Sequence, residues 1–192
     1  MHKQDMFPSR FFTFDDAIKH EELMKVLNTI KKDTENIVSV QGGQNGPTYK
    51  TNFFQAEVHG ELFKPFIEEL NKYLVKDNIS VQLTGPPWYA EYGEYDFHQP
   101  HTHAHAHIIE HWLGYFYSGI ICLSDFGETS FINPNFSSFT EACLRVSSEF
   151  NKVILFPSNI YHYIIPHGMR DKIRAVFSFN CELKLGSFNA NI

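Results

Sequence analysis

The densest chemistry in the sequence is a run of histidines. Of the eleven histidines, six (His98, His101, His103, His105, His107 and His111) fall in the single segment HQPHTHAHAHIIEH. His101, His103, His105 and His107 alternate with small residues, so an extended backbone sets their four imidazoles on one face. Neutral imidazoles gathered in this way favour a metal ion. Imidazole suits iron, zinc, copper and nickel, and an H-x-H pair on a strand offers one ion two ligands with little distortion. The chain advances roughly 6 to 7 Å per two residues, so one ion can take only one such pair. A third ligand must come from elsewhere, and His162 in FPSNIYHYIIPH is the obvious candidate. The plainer reading, hydrogen-bonded structural histidines or a surface metal sponge, is the favoured one for His98, His105, His107 and His111.

A second charged group belongs with this pattern. Arg174 lies in KIRAVFSFN, on the strand after His162, among apolar and small neighbours. A guanidinium there is costly unless it meets an anion, either the carboxylate of a ligand or a structural Asp or Glu, and it binds a carboxylate through two parallel hydrogen bonds.

Positioning these groups requires strands. From Ile79 onward, short β-type runs alternate with turn residues, and strands are expected near 79–84, 87–95, 98–106, 112–123, 128–133, 143–147, 152–156, 160–165 and 172–183. Eight or so strands at this spacing suggest a sandwich, barrel or jelly roll. Before them, Asp15-Asp16 can cap a helix with Ile18, Leu23, Val26, Leu27 and Ile30 at helical period. A second helix is expected from about Gly60 to Lys76, and the segment Gln41 to Lys50 reads as loop. The expected organisation is a single domain over 1–192, with a helical N-terminal support over 1–78 and a β core over 79–185.

Composition narrows the function classes. The 192 residues are 43% hydrophobic and 20% charged, which are values of a folded globular chain. The formal charge is −6 and no basic run occurs, so nucleic acid is not expected as a partner. The longest nearly apolar stretch, Trp112 to Leu123, is about 12 residues where a membrane span needs about 20. The N-terminus lacks a signal-peptide core, and Cys122, Cys143 and Cys181 form no disulfide framework or CxxC pair. A soluble, cytoplasmic protein is therefore expected, with no membrane partner.

The order of these features resembles the Fe(II)/2-oxoglutarate-dependent oxygenases, and more narrowly a group of them from phage and marine bacterial genomes. The matching stretches are Trp88, Gln99-Pro100-His101-Thr102-His103, Ser118-Gly119-Ile120-Ile121-Cys122-Leu123, Phe156-Pro157-Ser158 with His162 and Pro166, and Arg174 through Asn180. The resemblance covers about residues 86–183 and is specific as an ordered set. It implies a mainly β fold with N-terminal helices: a double-stranded β-helix (jelly roll, cupin-like) with two helices packed on one sheet. It implies Fe(II) held by His101 and His162, with 2-oxoglutarate and O2 as co-substrates and Arg174 on the far carboxylate of 2-oxoglutarate. Tyr115, Tyr117, Ser178 and Asn180 are the expected lining of the co-substrate pocket.

Two positions depart from the usual pattern. His103 stands where the superfamily's H-x-D pair has a carboxylate. That leaves a three-His site, which is preferred, a carboxylate such as Asp96 or Glu110 in its place, or altered oxygen chemistry. Ala90 stands where many relatives have Asn, so a polar contact is missing or is supplied by Tyr92. The implied reaction hydroxylates a C–H bond of a peptidyl or small-molecule substrate while 2-oxoglutarate is decarboxylated to succinate. The alternatives are a cupin-like metalloenzyme that does not use 2-oxoglutarate and a non-catalytic metal-binding jelly roll. Aromatic-rich strands are compatible with a homodimer.

Overall fold

The computed structural model describes residues 2–6, 9–32, 38–40, 49–53, 56–85, 87–103, 115–136 and 141–185. The N-terminal part holds β1 (His2–Met6), β2 (Ser9–Phe14), α1 (His20–Lys32), β3 (Val38–Val40), β4 (Tyr49–Phe53) and α2 (Ala56–Leu74). Nine strands follow: β5 (Ile79–Leu83), β6 (Trp88–Tyr92), β7 (His98–His101), β8 (Tyr115–Cys122), β9 (Glu128–Ile132), β10 (Cys143–Ser147), β11 (Val153–Pro157), β12 (His162–Ile164) and β13 (Arg174–Leu185).

The strands form two antiparallel sheets. The larger runs β1-β2-β11-β8-β13-β6-β4-β3, with β5 also on β13, and the smaller runs β10-β9-β12-β7. β13 is the spine of the larger sheet: it pairs with β8 from Val176 to Leu183, with β6 from Arg174 to Ser178 and with β5 from Cys181 to Leu185. Side chains alternate across a strand, so β13 builds two cores at once. Phe177, Phe179, Cys181 and Leu183 turn to one face, where Leu23, Val26, Leu27, Phe66, Leu70 and Leu74 of the helices cover them. Val176 turns to the other, where Ala90, Tyr92, Ile120 and Cys122 of the same sheet meet Phe131 and Ile164 of the smaller one. The result is a jelly roll with two helices packed on one sheet.

The N-terminal segment is more than a helical support. β2 pairs with β11, putting Phe12 and Phe14 in the helix-side core and Phe11 between the sheets, while β4 extends the larger sheet beyond β6. The helix expected from Asp15-Asp16 begins later, at His20. The side chain of Asn151 takes both backbone groups of Ile18, accepting from its N–H at 3.3 Å and donating to its carbonyl at 2.6 Å, and so holds that residue outside the helix. The Gln41–Thr48 part of the expected loop lies outside the described residues. No described helix is long and apolar enough to cross a membrane.

Gly119 shows how closely β8 and β13 are fitted. It is paired with Phe179, and a methyl group added at Gly119 would overlap the Phe179 ring. Gly119→Ala should therefore lower stability by about 1–3 kcal/mol, the usual cost of overpacking, measurable as a shift in denaturation midpoint; an unshifted midpoint would contradict this packing.

Candidate metal centre

The smaller sheet brings the histidines together. β12 pairs antiparallel with β7, and His162 stands directly opposite His101. His103 lies just past the end of β7, where its backbone N–H donates to the Ser158 carbonyl at 3.0 Å and pins it to the turn that leads into β12. The rings of His101 and His103 come within 4.2 and 4.8 Å of that of His162. One ring nitrogen from each of the three lies within 4.8 Å of the others.

Hydrogen bonds assign which nitrogens these are. His101 Nδ1 faces the Gln99 carbonyl at 2.9 Å and His162 Nδ1 faces the Ile160 carbonyl at 3.2 Å. A carbonyl only accepts, so both Nδ1 atoms carry the proton and both Nε2 atoms keep a lone pair. His103 Nδ1 lies 2.9 Å from both Ser118 Oγ and Asn180 Oδ1, and Ser118 itself donates to Asn180 Oδ1. With its only hydrogen on Asn180, Ser118 must accept from His103, and His103 joins the same tautomer. The Nε2 atoms of His101 and His103 are 3.2 Å apart. Two bare nitrogens repel at that distance unless a cation lies between them. Neighbouring ligands at right angles, each roughly 2.0–2.1 Å from an ion, stand roughly 3 Å apart.

Electrostatics favour the neutral form that metals require. Burial, reinforced by His101 and His103, pushes the His162 pKa down to about 2, and burial lowers that of His101. His98 stacks on His101 with ring centroids 3.8 Å apart, and burial with the same neighbours takes its pKa to about 3. His98 thus supports the His101 ring and is not part of the converging trio. Asp96 accepts from the Gly93 N–H at 2.7 Å within its own turn and is not in the trio either. His105, His107, His111 and Glu110 lie outside the described residues.

Arg174 is 1% exposed on the inter-sheet face of β13. Its Nε donates to Ser148 Oγ at 3.0 Å and its Nη2 to Thr129 Oγ1 at 2.8 Å, while Nη1 is buried with no partner. Among the described residues no carboxylate lies within ion-pair distance of it; Glu128, which pairs with Arg145, acts on it only at longer range. The stem of Arg174 lies against Gly127, where a Cβ would come within 2.6 Å of Arg174 Cδ, so only glycine admits this placement.

Strand parity sorts the remaining expected residues. Ser178 and Asn180 share the face of Arg174, and Ser178 pairs with Trp88 and Ile120. Asn180 touches His103. Tyr117 does not line this face: it is one residue out of phase with Ser118, and its ring packs 6.1 Å from Phe12 in the helix-side core. Tyr115 lies on β8, but its side chain is outside the described residues. Trp88, whose ring meets His103 at 5.1 Å, and Tyr92, whose ring lies 5.8 Å from the Arg174 guanidinium, stand at opposite ends of the same β6 face. Sequence reasoning gave no role to Ser118, Ser148, Ser158 or Thr129. Parity along β8 signals Ser118, but nothing local signals Ser148 or Thr129.

No protein-family profile matches the sequence, and no curated protein matches it. Solved structures do. A Pseudomonas putida prolyl-4-hydroxylase shares 10% identity over 95% of this chain and 96% of its own, with a TM-score of 0.62. SnoK, an alpha-ketoglutarate-dependent carbocyclase of nogalamycin biosynthesis, shares 10% over 94% and 84%, with a TM-score of 0.65. HygX from Streptomyces hygroscopicus, solved with nickel and 2-oxoglutarate, shares 12% over 93% and 83%, with a TM-score of 0.61. The chain has the jelly-roll fold of these proteins.

Because the native protein holds His162 neutral while the unfolded chain protonates it below about pH 6.5, acid favours unfolding. The metal-free protein should lose about 1.4 kcal/mol from this residue by pH 5.5, and the loss should continue toward the native pKa of about 2. Denaturant titrations of parent and His162→Asn between pH 7 and 5 read the effect as a shallower slope in the variant; equal slopes would contradict a buried neutral ring.

Proposed function

We propose that this chain is an Fe(II)/2-oxoglutarate-dependent oxygenase with a three-histidine centre of His101, His103 and His162, hydroxylating a C–H bond of a peptidyl or small-molecule substrate. The observation that carries this reading is the pairing, within one inter-sheet space, of three convergent Nε2 lone pairs with a buried guanidinium that has an open nitrogen and no carboxylate within ion-pair distance. The fold shared with 2-oxoglutarate enzymes supports it.

Iron bound at the trio, with 2-oxoglutarate and O2, supplies the oxidative decarboxylation to succinate and the oxidation of the substrate C–H bond. Arg174 anchors the far carboxylate of 2-oxoglutarate through Nη1, with Thr129 and Ser148 fixing the plane of its fork. Ala90, Ile120, Val176 and Ser178, on adjoining strands between the two ends, offer small or apolar side chains along which the co-substrate lies and from which water is excluded. The carbonyls of Gln99 and Ile160 hold the protons of His101 and His162 on Nδ1, turning their Nε2 atoms inward. A cupin-like enzyme that does not use 2-oxoglutarate leaves the open Nη1 of the buried guanidinium unexplained.

Purified protein with Fe(II) and 2-oxoglutarate should form succinate, and Ala at His101, His103 or His162 should abolish both iron retention and turnover. Arg174→Lys keeps the charge but loses the planar fork. It should weaken 2-oxoglutarate binding to the anaerobic Fe(II) protein by about tenfold or more, read from the charge-transfer band, with iron stoichiometry unchanged. Equal affinity in variant and parent would place the anchor elsewhere. His107→Ala should retain iron at the parent's stoichiometry; complete loss would show that the trio is not the binding set.

A further inference from the structure

Among the described residues the larger sheet ends in β1 and β3, and the smaller in β10 and β7. An end strand offers unpaired N–H and C=O groups to another chain, and proteins blunt such edges with proline, a bulge, a very short strand or charge. Three of the four are blunted. β7 carries Pro100 within its four residues, and its pairing with β12 shifts register. β3 is three residues long. β10 holds Arg145 at its centre and no acidic residue, so a second copy laid antiparallel about that centre meets like charge. β5, off the main order of the larger sheet, holds no charged residue at all.

β1 is built differently. Its five residues, His2-Lys3-Gln4-Asp5-Met6, run in unbroken register along β2, from His2 opposite Thr13 to Met6 opposite Ser9. Its other side is unpaired among the described residues. Lys3 and Asp5 flank Gln4. Antiparallel pairing with β1 of a second copy, two-fold symmetric about Gln4, sets Lys3 opposite the partner's Asp5 and Asp5 opposite the partner's Lys3. Pairing centred on Lys3 or on Asp5 sets like charges face to face, and pairing centred between residues sets both against His2, Gln4 or Met6. One register alone matches each charge with its opposite. β1 already places Asp5 opposite Arg10, so charges alternate across the seam in the order Arg10, Asp5 and the partner's Lys3. Opposite charges directly across a strand pair are stabilising, and like charges there are destabilising.

We infer that β1 is a self-association edge: two copies of this chain join β1 to β1, antiparallel about Gln4, and their nine-stranded sheets run on as one across a two-fold axis. The contact uses the same strand on both copies and therefore closes at a dimer, whereas pairing β1 with the partner's β3 would leave free edges and grow without end. The seam is short, so the dimer is weak and depends on concentration. β2, β11 and β8 lie between β1 and β13, which keeps the seam away from the converging histidines. Self-association is thus independent of the chemistry at that site.

The test is the mass of the untagged full chain by analytical ultracentrifugation from roughly 10 μM to 1 mM, the affinity range of weak contacts. The mass should rise with concentration from 22.3 kDa toward twice that value, and less steeply at high salt. Amide exchange of residues 2–6 should slow as the dimer forms. Lys3→Asp replaces both attractive pairs by repulsive ones and should weaken association by about tenfold or more. Asp5→Lys does the same with the opposite sign. Mixed in equal amounts, the two variants should recover a dimer of one copy of each, because every charge then meets its opposite; simple damage to β1 would not be rescued by mixing. The inference is overturned if the parent stays at 22.3 kDa throughout, or if it dimerises with exchange of residues 2–6 unchanged. It is also overturned if Lys3→Asp associates as strongly as the parent, or if the mixture of folded variants does not associate. Should Asp5→Lys, which also stands opposite Arg10, fail to fold, the parent and Lys3→Asp decide.

Discussion

The register of β13 against β8 is the constraint on which the rest of the molecule depends. With Asn180 opposite Ser118 and Phe179 opposite Gly119, one face of β13 presents Arg174, Ser178 and Asn180 while the other presents phenylalanines to the helices. A slip of one residue would exchange the two sets, burying a guanidinium under α1 and α2 and placing aromatic rings against His103. The close fit of Gly119 to Phe179 opposes that slip sterically. The hydrophobic packing that stabilises the fold is therefore also what aims the polar groups, and neither face of β13 can be altered without consequence for the other.

Much of the site was legible because its chemistry is local in sequence. H-x-H on an extended chain puts two imidazoles on one side, and a remote histidine on a later strand completes a set of three in any fold that returns that strand to the first. The β12–β7 pairing does so, with His162 opposite His101. Arg174 stood out because a guanidinium amid Val and Phe needs a reason. Tyr117 departs from its expected place because strand alternation overrides aromatic character: with Ser118 facing the site, its neighbours cannot.

What the sequence concealed depends on contacts far apart along the chain. The first turn expected of α1 is held out of the helix by Asn151, 133 positions away from Ile18. The N-terminal residues joined the β core because β11 needed a partner on its free side, a demand no local pattern announces. Thr129 and Ser148 reach Arg174 from separate parts of the chain, and their hydroxyls resemble any others until the guanidinium is placed between them. Gly127, unremarkable in sequence, is required because the Arg174 stem lies on it.

β7 is a short strand at the margin of the smaller sheet, and among the described residues it is paired only with β12. Hydrogen exchange in folded proteins is fastest where an element is held from one side, since it can open while the interior stays closed. Of the three converging histidines, His162 belongs to an inner strand, whereas His101 ends the marginal one and His103 follows it. Opening of that margin would draw His101 away from His162, while His103 stays held by Ser158, Ser118 and Asn180. Fraying of this four-residue strand would disturb the trio at far lower cost than global unfolding.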